Sequence, residues 1–421
     1  MKTKSILLAL ALLAPSQMFG EVKHNADACI FKYQEEIGYF QKANRDLGDP
    51  RFMFYDSDSK MSFGIGGTVK ASALYGFRGG TNQATFHPSD IYIPTDPSHI
   101  FLSDASASEI HAKMRSEWRG HKIVAYLKLG ANTDNTIKLD QAYISVGGFS
   151  LGLIPSFFMD LESGVMTAGY CPGSAVDKSH TLFGYTTRLG KSWILAAAAE
   201  KAELNLDDFG KAKGVRTESQ PMPDLTGRVK YRWKNGHVQL AGVARNLTYW
   251  AVDEAEIYTA GGTDRHCFGY GIAFSGNWKP GEKLKFSWNL IHGRGIASYL
   301  PDYSSHNMDL ALKNETLDDL ALMSTVPIYS GMIAAQYDWS KHFGSSVQLS
   351  ASTCRNENGA NHLDPTSKIF SGLVNLFWYP NDLSYIGIEY QGGIKNISPT
   401  PGIDATKGDA HRFVATLAVF F

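Results

Sequence analysis

The chain has 421 residues, 41 Gly, 4 Cys and a formal net charge of −1. That balance excludes nucleic-acid binding through bulk charge, and after the N-terminus no apolar run reaches the roughly 18 residues a spanning helix needs. If the chain resides in a membrane, it crosses it as a barrel.

Lys2 and Lys4 precede the apolar stretch 6–14, followed by Pro15, Ser16 and Gly20. This is the layout of a secretory signal peptide, expected over residues 1–20. The next segment, 21–61, reads as a periplasmic helical or linker piece, because Ile30, Tyr33, Ile37, Phe40 and Leu47 fall on a and d positions of a heptad, with Asn44 between them. Two outcomes stay open there: a short amphipathic helix or disordered tail, and a small helical bundle that registers several copies.

From residue 62 to 421 the sequence divides into about sixteen stretches of alternating apolar and polar residues. Tight connections are expected at Gly120, Gly147-Gly148, Gly190-Lys191, Asn235-Gly236, Pro280-Gly281, Phe343-Gly344 and Pro380-Asn381, and long polar loops alternate with them. That rotation predicts an all-β fold: a transmembrane antiparallel β-barrel with tight turns in the periplasm and long loops outside.

Individual faces support this. Leu225, Val229, Tyr231 and Trp233 alternate with Arg228, Lys230, Arg232 and Lys234. The apolar face must meet lipid and the charged face a wet lumen. Trp118, Trp193, Trp233, Trp278, Trp339 and Trp378 lie within about five residues of an expected tight turn, where an interfacial aromatic girdle belongs. Phe421 ends a run with Phe413, Ala415, Leu417 and Val419 on one face, like the signal read by the outer-membrane assembly machinery. Two stretches break the pattern. Around Asp140 and Gln141 the period slips, which predicts a bulge. From Ile369 to Trp378 the inner face is apolar as well, which a wet lumen does not explain.

The expected lumen is basic. Its pore-lining set is Lys70, Lys113, Arg115, Lys128, Arg188, Arg228, Lys230, Arg232, Arg245, Lys283, Lys285 and Arg412, against few acids on the same faces, chiefly Glu117, Asp338 and Glu389. Such a wall concentrates anions. The bland alternative is that these bases pair with loop carboxylates and merely hold the loops. The third long loop, 157–177, is the expected constriction, with Asp160, Glu162 and Asp177 facing the basic wall across the pore.

Catalysis is not expected. Gly148-Phe149-Ser150-Leu151-Gly152 fits the nucleophile-elbow pattern, but strand patterns lie on both sides where the elbow needs a helix. The 13 His have no metal-ligand spacing, so neither a metal nor a cofactor is expected. Cys171, Cys267 and Cys354 lie on or near long loops, where an oxidising compartment permits one bridge.

The opening strand SFGIGGTVKASALYGF (Ser62 to Phe77) and the block KLDQAYISVGGFSLGLIPSFFMD (Lys138 to Asp160) resemble the DcaP-like trimeric porins. The chain departs from that family at Asp140-Gln141, where the family carries Arg-His, and at Leu153-Ile154-Pro155, where it carries Gln-Thr-Trp. The resemblance implies a homotrimer in the outer membrane of a Gram-negative bacterium, contacting lipid, with no nucleic acid as partner. The expected function is passive diffusion of small hydrophilic, anionic solutes. A structural or adhesive barrel with a plugged pore and an enzymatic barrel are the alternatives.

Overall fold

The computed structural model describes residues 29–33, 50, 52–56 and 61–421, except 80–83, 135, 170, 172, 207–210, 212–213, 218, 253–261, 305–307, 314–321, 355–366 and 400–404. The expected signal peptide lies outside the described residues.

Sixteen antiparallel strands close into one barrel. The first five are β1 (Met61–Arg78), β2 (Ile100–Asp104 continued by Glu109–Trp118), β3 (His121–Ala131), β4 (Ile137–Val146) and β5 (Phe149–Pro155). Next come β6 (Ser179–Leu189), β7 (Trp193–Glu200), β8 (Asp224–Trp233), β9 (Gly236–Val252), β10 (Gly262–Trp278) and β11 (Leu284–Arg294). The last five are β12 (Pro327–Ser340), β13 (Phe343–Cys354), β14 (Ser367–Asn381), β15 (Ser384–Ile397) and β16 (Lys407–Phe420). Consecutive strands pair, and β16 returns to β1 from Phe420 opposite Thr68 to His411 opposite Arg78. Closure gives each of the sixteen strands a neighbour on both sides.

The strand faces follow the alternation. On β8, Leu225 and Val229 are 55 % and 42 % exposed, while Lys230, next after Val229, faces inward at 6 %. An apolar outer face and a polar inner one require lipid outside. Trp118, Trp193, Trp278, Trp339 and Trp378 all stand exposed beside tight turns, marking one membrane border.

Five tight turns fall where the sequence places them. At Gly147 and Gly148, φ of +58° and +100° needs the freedom that only glycine has at no steric cost. The other two turns sit two residues from the expected positions, at Lys341-His342 and Asp382-Leu383. Register shifts next to both, at Asp338/Ser340 and Trp378/Asn381, draw the expected turn residues into strands. The bulge on β4 is present: Lys128 faces Gln141 and Leu129 faces Leu139, so Asp140 has no opposite residue.

Cys29–Tyr33, which the heptad reading assigns to a helix, is a short strand paired with Phe52–Asp56. Phe52–Asp56 in turn pairs with β1 from Met61 to Ile65, below the point where β16 ends. The unfilled edge of β1 supplies backbone partners to an extended segment there, and that outweighs the heptad. Residues 34–49, with the rest of the heptad, lie outside the described residues. Ser150 sits on β5, directly after a hairpin turn, with its Oγ 3.0 Å from Ser145 Oγ. The strained strand-to-helix turn of a nucleophile elbow does not form there.

Candidate pore and constriction loop

Residues 156–178 join β5 to β6 and fold into the lumen along the inner wall. Their contacts advance strand by strand. Gln239 Nε2 on β9 donates to Met159 O at 3.1 Å, and Asn277 Nδ2 on β10 to Glu162 O at 2.9 Å. Lys285 Nζ on β11 donates to Gly164 O at 2.6 Å, and Asn375 Nδ2 on β14 to Met166 O at 2.9 Å. Glu389 on β15 then accepts the Ala168 and Gly169 N–H groups at 2.8 and 3.2 Å. The loop therefore spans the wall from β8 to β15.

The apolar inner face of β14 now has a role. Phe377 packs with Met166 and Ala168 of this loop, and Leu373 with Cys171, Phe86 and Ile91. That face is a docking surface for folded-in loops.

The tightest seat is Asp160, itself almost fully buried. Its carboxylate meets Lys230 Nζ at 3.0 Å, His237 Nε2 at 2.7 Å and Ser275 Oγ at 2.8 Å. Glu162 binds Lys230 at 3.1 Å and also pairs with Arg232. Burial alone would push the Asp160 carboxyl up, but the His237 hydrogen bond and the Lys230 charge outweigh it and hold it well below the usual carboxylate range. Glu162 is likewise lowered: Lys230 and Arg232 overcome its burial.

The sign of the linkage follows. A depressed folded-state pKa contributes stability that is present above the unfolded value and is lost as pH falls through the folded value. The seat is therefore expected to survive at about pH 4.5, close to the ordinary carboxylate range. Amide exchange across 160–168, corrected for intrinsic rates, should show equal protection there and at neutral pH. Protection lost already near pH 5 would mean that the Asp160 carboxyl is not held below the carboxylate range.

A second cluster fixes other loops. Arg245 on β9 is fully buried and binds Asp224 Oδ2 at 3.0 Å and Asp309 Oδ1 at 3.1 Å. It also donates to Gly295 O and Glu203 O. Tyr299 lies with its ring 5.2 Å from the guanidinium and donates to Asp224 at 3.0 Å. Glu200 accepts from Thr226 Oγ1 at 2.6 Å and from Phe157 N at 2.9 Å, tying the start of the constriction loop to the same region.

The sequence-predicted bases separate into four groups. Arg228, Lys230, Arg232 and Lys285 contact the constriction loop: Arg228 donates to Met159 O at 3.4 Å and stands over the Phe157 ring. Arg412 holds the first long loop through Ala84 O at 3.0 Å and the Phe86 ring, and Arg245 belongs to the buried cluster. Lys70, Lys113 and Lys128 project inward from β1–β3, where Lys128 pairs with Glu109 at 2.7 Å. Arg115 and Arg188 are exposed near tight turns, and Lys283 lies in one. Asp160 and Glu162 thus touch the basic wall of β8 and do not face it across water. Asp177 is exposed, and its N–H bonds to Tyr299 O at 3.3 Å.

Sequence reasoning missed His237 and Ser275 as clamp partners, and Asp224, Asp309 and Glu200 as anchors. The signal available for His237 is its place two residues before Gln239 on the same face of β9, where both are buried. Cys171, Cys267 and Cys354 are free thiols, so the permitted bridge is not formed. Burial pushes the Cys171 thiol up to about 12.

A closed barrel of this size, with an apolar outer belt and a long loop seated in its lumen, defines an outer-membrane porin. A family model described as porin subfamily matches residues 103–284. No curated protein matches the chain in sequence. Among solved structures it is similar to the outer membrane channel DcaP of Acinetobacter baumannii, with a TM-score of 0.70 and 14 % identity over 87 % of this chain and 99 % of that one. It is also similar to OmpT of Vibrio cholerae, with a TM-score of 0.54 and 10 % identity over 86 % of this chain and 98 % of that one. An anion-selective porin from Comamonas acidovorans gives a TM-score of 0.54 and 10 % identity over 86 % of this chain and all of that one. The fold is that of these outer-membrane channels, and the chain is similar to the DcaP-like porins of the Gram-negative outer membrane.

Proposed function

We propose that this porin passes small hydrophilic anions by passive diffusion. One observation carries the reading: among the described residues at the seat of the constriction loop, the four cations Arg228, Lys230, Arg232 and Lys285 stand against three carboxylates, Asp160, Glu162 and Glu200. Pairing neutralises part of the wall, as the bland alternative requires, and an excess of positive charge remains. Lys70 and Lys113 also face the lumen, from β1 and β2. Charges act on permeating ions within about a Debye length, roughly 8 Å at physiological salt, so this excess biases a narrow channel.

Three such barrels are proposed to associate, and the C-terminal Phe421 to serve the assembly machinery. Reversal potentials under a salt gradient test the anion preference. Chloride should be favoured over potassium, and Lys70→Gln should reduce that preference, since among the described residues the Lys70 side chain makes no hydrogen bond or ion pair to the constriction loop. A wild-type channel that prefers potassium overturns the reading. Absence of conductance steps in planar bilayers would favour a plugged structural barrel.

A further inference from the structure

The outward face of β11–β15 departs from a uniform apolar belt. His292 lies opposite Tyr329, Tyr329 opposite Thr353, and Thr353 opposite Lys368, so the register places four polar side chains in one unbroken row. The rings of His292 and Tyr329 stack with centroids 4.3 Å apart. All four residues lie within a few positions of the strand ends that lead into long loops, the border opposite the Trp girdle. That border belongs to the outer leaflet.

Directly beneath the row the wall is hollow. Gly331 lies opposite Ala351, and one step lower Gly372 lies opposite Gly392. Large side chains flank this floor: Ile333, Leu349, Phe370 and Val374 are each more than half exposed. The result is a pair of adjoining grooves of about 700 and 670 Å³ that share Leu290, Gly331, Ala351 and Phe370. His292, Tyr329, Thr353 and Lys368 line the upper one.

We propose that this groove binds a phosphorylated acyl lipid of the outer leaflet. The apolar trench takes an acyl chain, whose burial is favourable per methylene. At headgroup depth the Lys368 ammonium supplies the charge that complements a phosphate, while Tyr329 and His292 offer hydrogen-bonding groups beside it. Among the described residues no carboxylate pairs with Lys368, so a phosphate supplies the counter-charge that a neutral lipid lacks. The groove lies on the outer surface and is separate from the pore.

The experiment uses the whole protein, delipidated in detergent and titrated with lipid A or its dephosphorylated counterpart, with retention read by native mass spectrometry. Lipid A should be retained in preference. Lys368→Gln should weaken retention about fivefold, the effect of one cation near a membrane surface. Ala351→Phe, which fills the trench, should abolish it, while single-channel conductance shows that both variants fold. Equal retention of the two lipids overturns the proposal. So does an Ala351→Phe variant that keeps the lipid and loses its oligomeric state, which would make this face a contact between copies.

Discussion

Replacing Arg245 by Met should lower stability by about 3–5 kcal/mol, the range for removing one partner from a buried ion cluster. The guanidinium has no exposed surface, and neither do Asp224 and Asp309, which it binds. Removing it leaves two buried carboxylates without their cation. It also frees Gly295 O and Glu203 O, so two long loops lose one anchor together. Asp309 would still accept from Ser298 N at 3.1 Å and Asn205 N at 3.0 Å, which keeps the loss below complete unfolding. Denaturant midpoints in detergent measure the effect. The triple variant Arg245→Met, Asp224→Asn and Asp309→Asn should recover part of the loss, because it removes the stranded charges. A single substitution costing under about 1 kcal/mol would show that water reaches the cluster.

The barrel was legible because its period is short and its solvent is double. Leu225 and Lys230 declare their faces through alternation alone, and Asp140 betrays a bulge by interrupting it. Turn chemistry placed Gly147-Gly148 correctly, whereas the Phe343 turn moved because a bulge is a property of two paired strands and one strand does not encode it. The pore was harder to read. Alternation shows that Lys230 points inward, but its partner Asp160 lies 70 positions away, and only the path of the loop brings them to 3.0 Å. Arg245 illustrates the same limit. It shares an inward face with Lys230's neighbours, yet it is sealed beneath Tyr299 and two loops whose docking no local pattern records. The apolar inner face of β14 was the one local sign of that docking. A wet wall has no use for Leu373 and Phe377, and a wall that carries loops does.

Asp160→Ala should release the constriction loop and widen the pore. The substitution removes one carboxylate that accepts from Lys230, His237 and Ser275, and it leaves the Lys230 ammonium, 7 % exposed in its side chain, with Glu162 alone. Losing a partner in such a site costs about 3–5 kcal/mol. Here the strain is relieved by lifting the loop, because the contacts at Gly164, Met166 and Ala168 hold its far half to β11, β14 and β15 while its near half comes free. Conductance should rise, and exchange protection should fall over 159–163 before it falls over 166–169. Asp160→Asn separates tether from charge. The amide keeps one acceptor oxygen, so the loop stays nearer its seat while the pore gains positive potential. Anion preference should therefore rise in both variants, and conductance chiefly in the alanine one. If Asp160→Ala conducts like the wild type with unchanged protection, the backbone contacts from β9 to β15 suffice to seat the loop. The buried carboxylate would then serve the electrostatics of the wall and not its geometry.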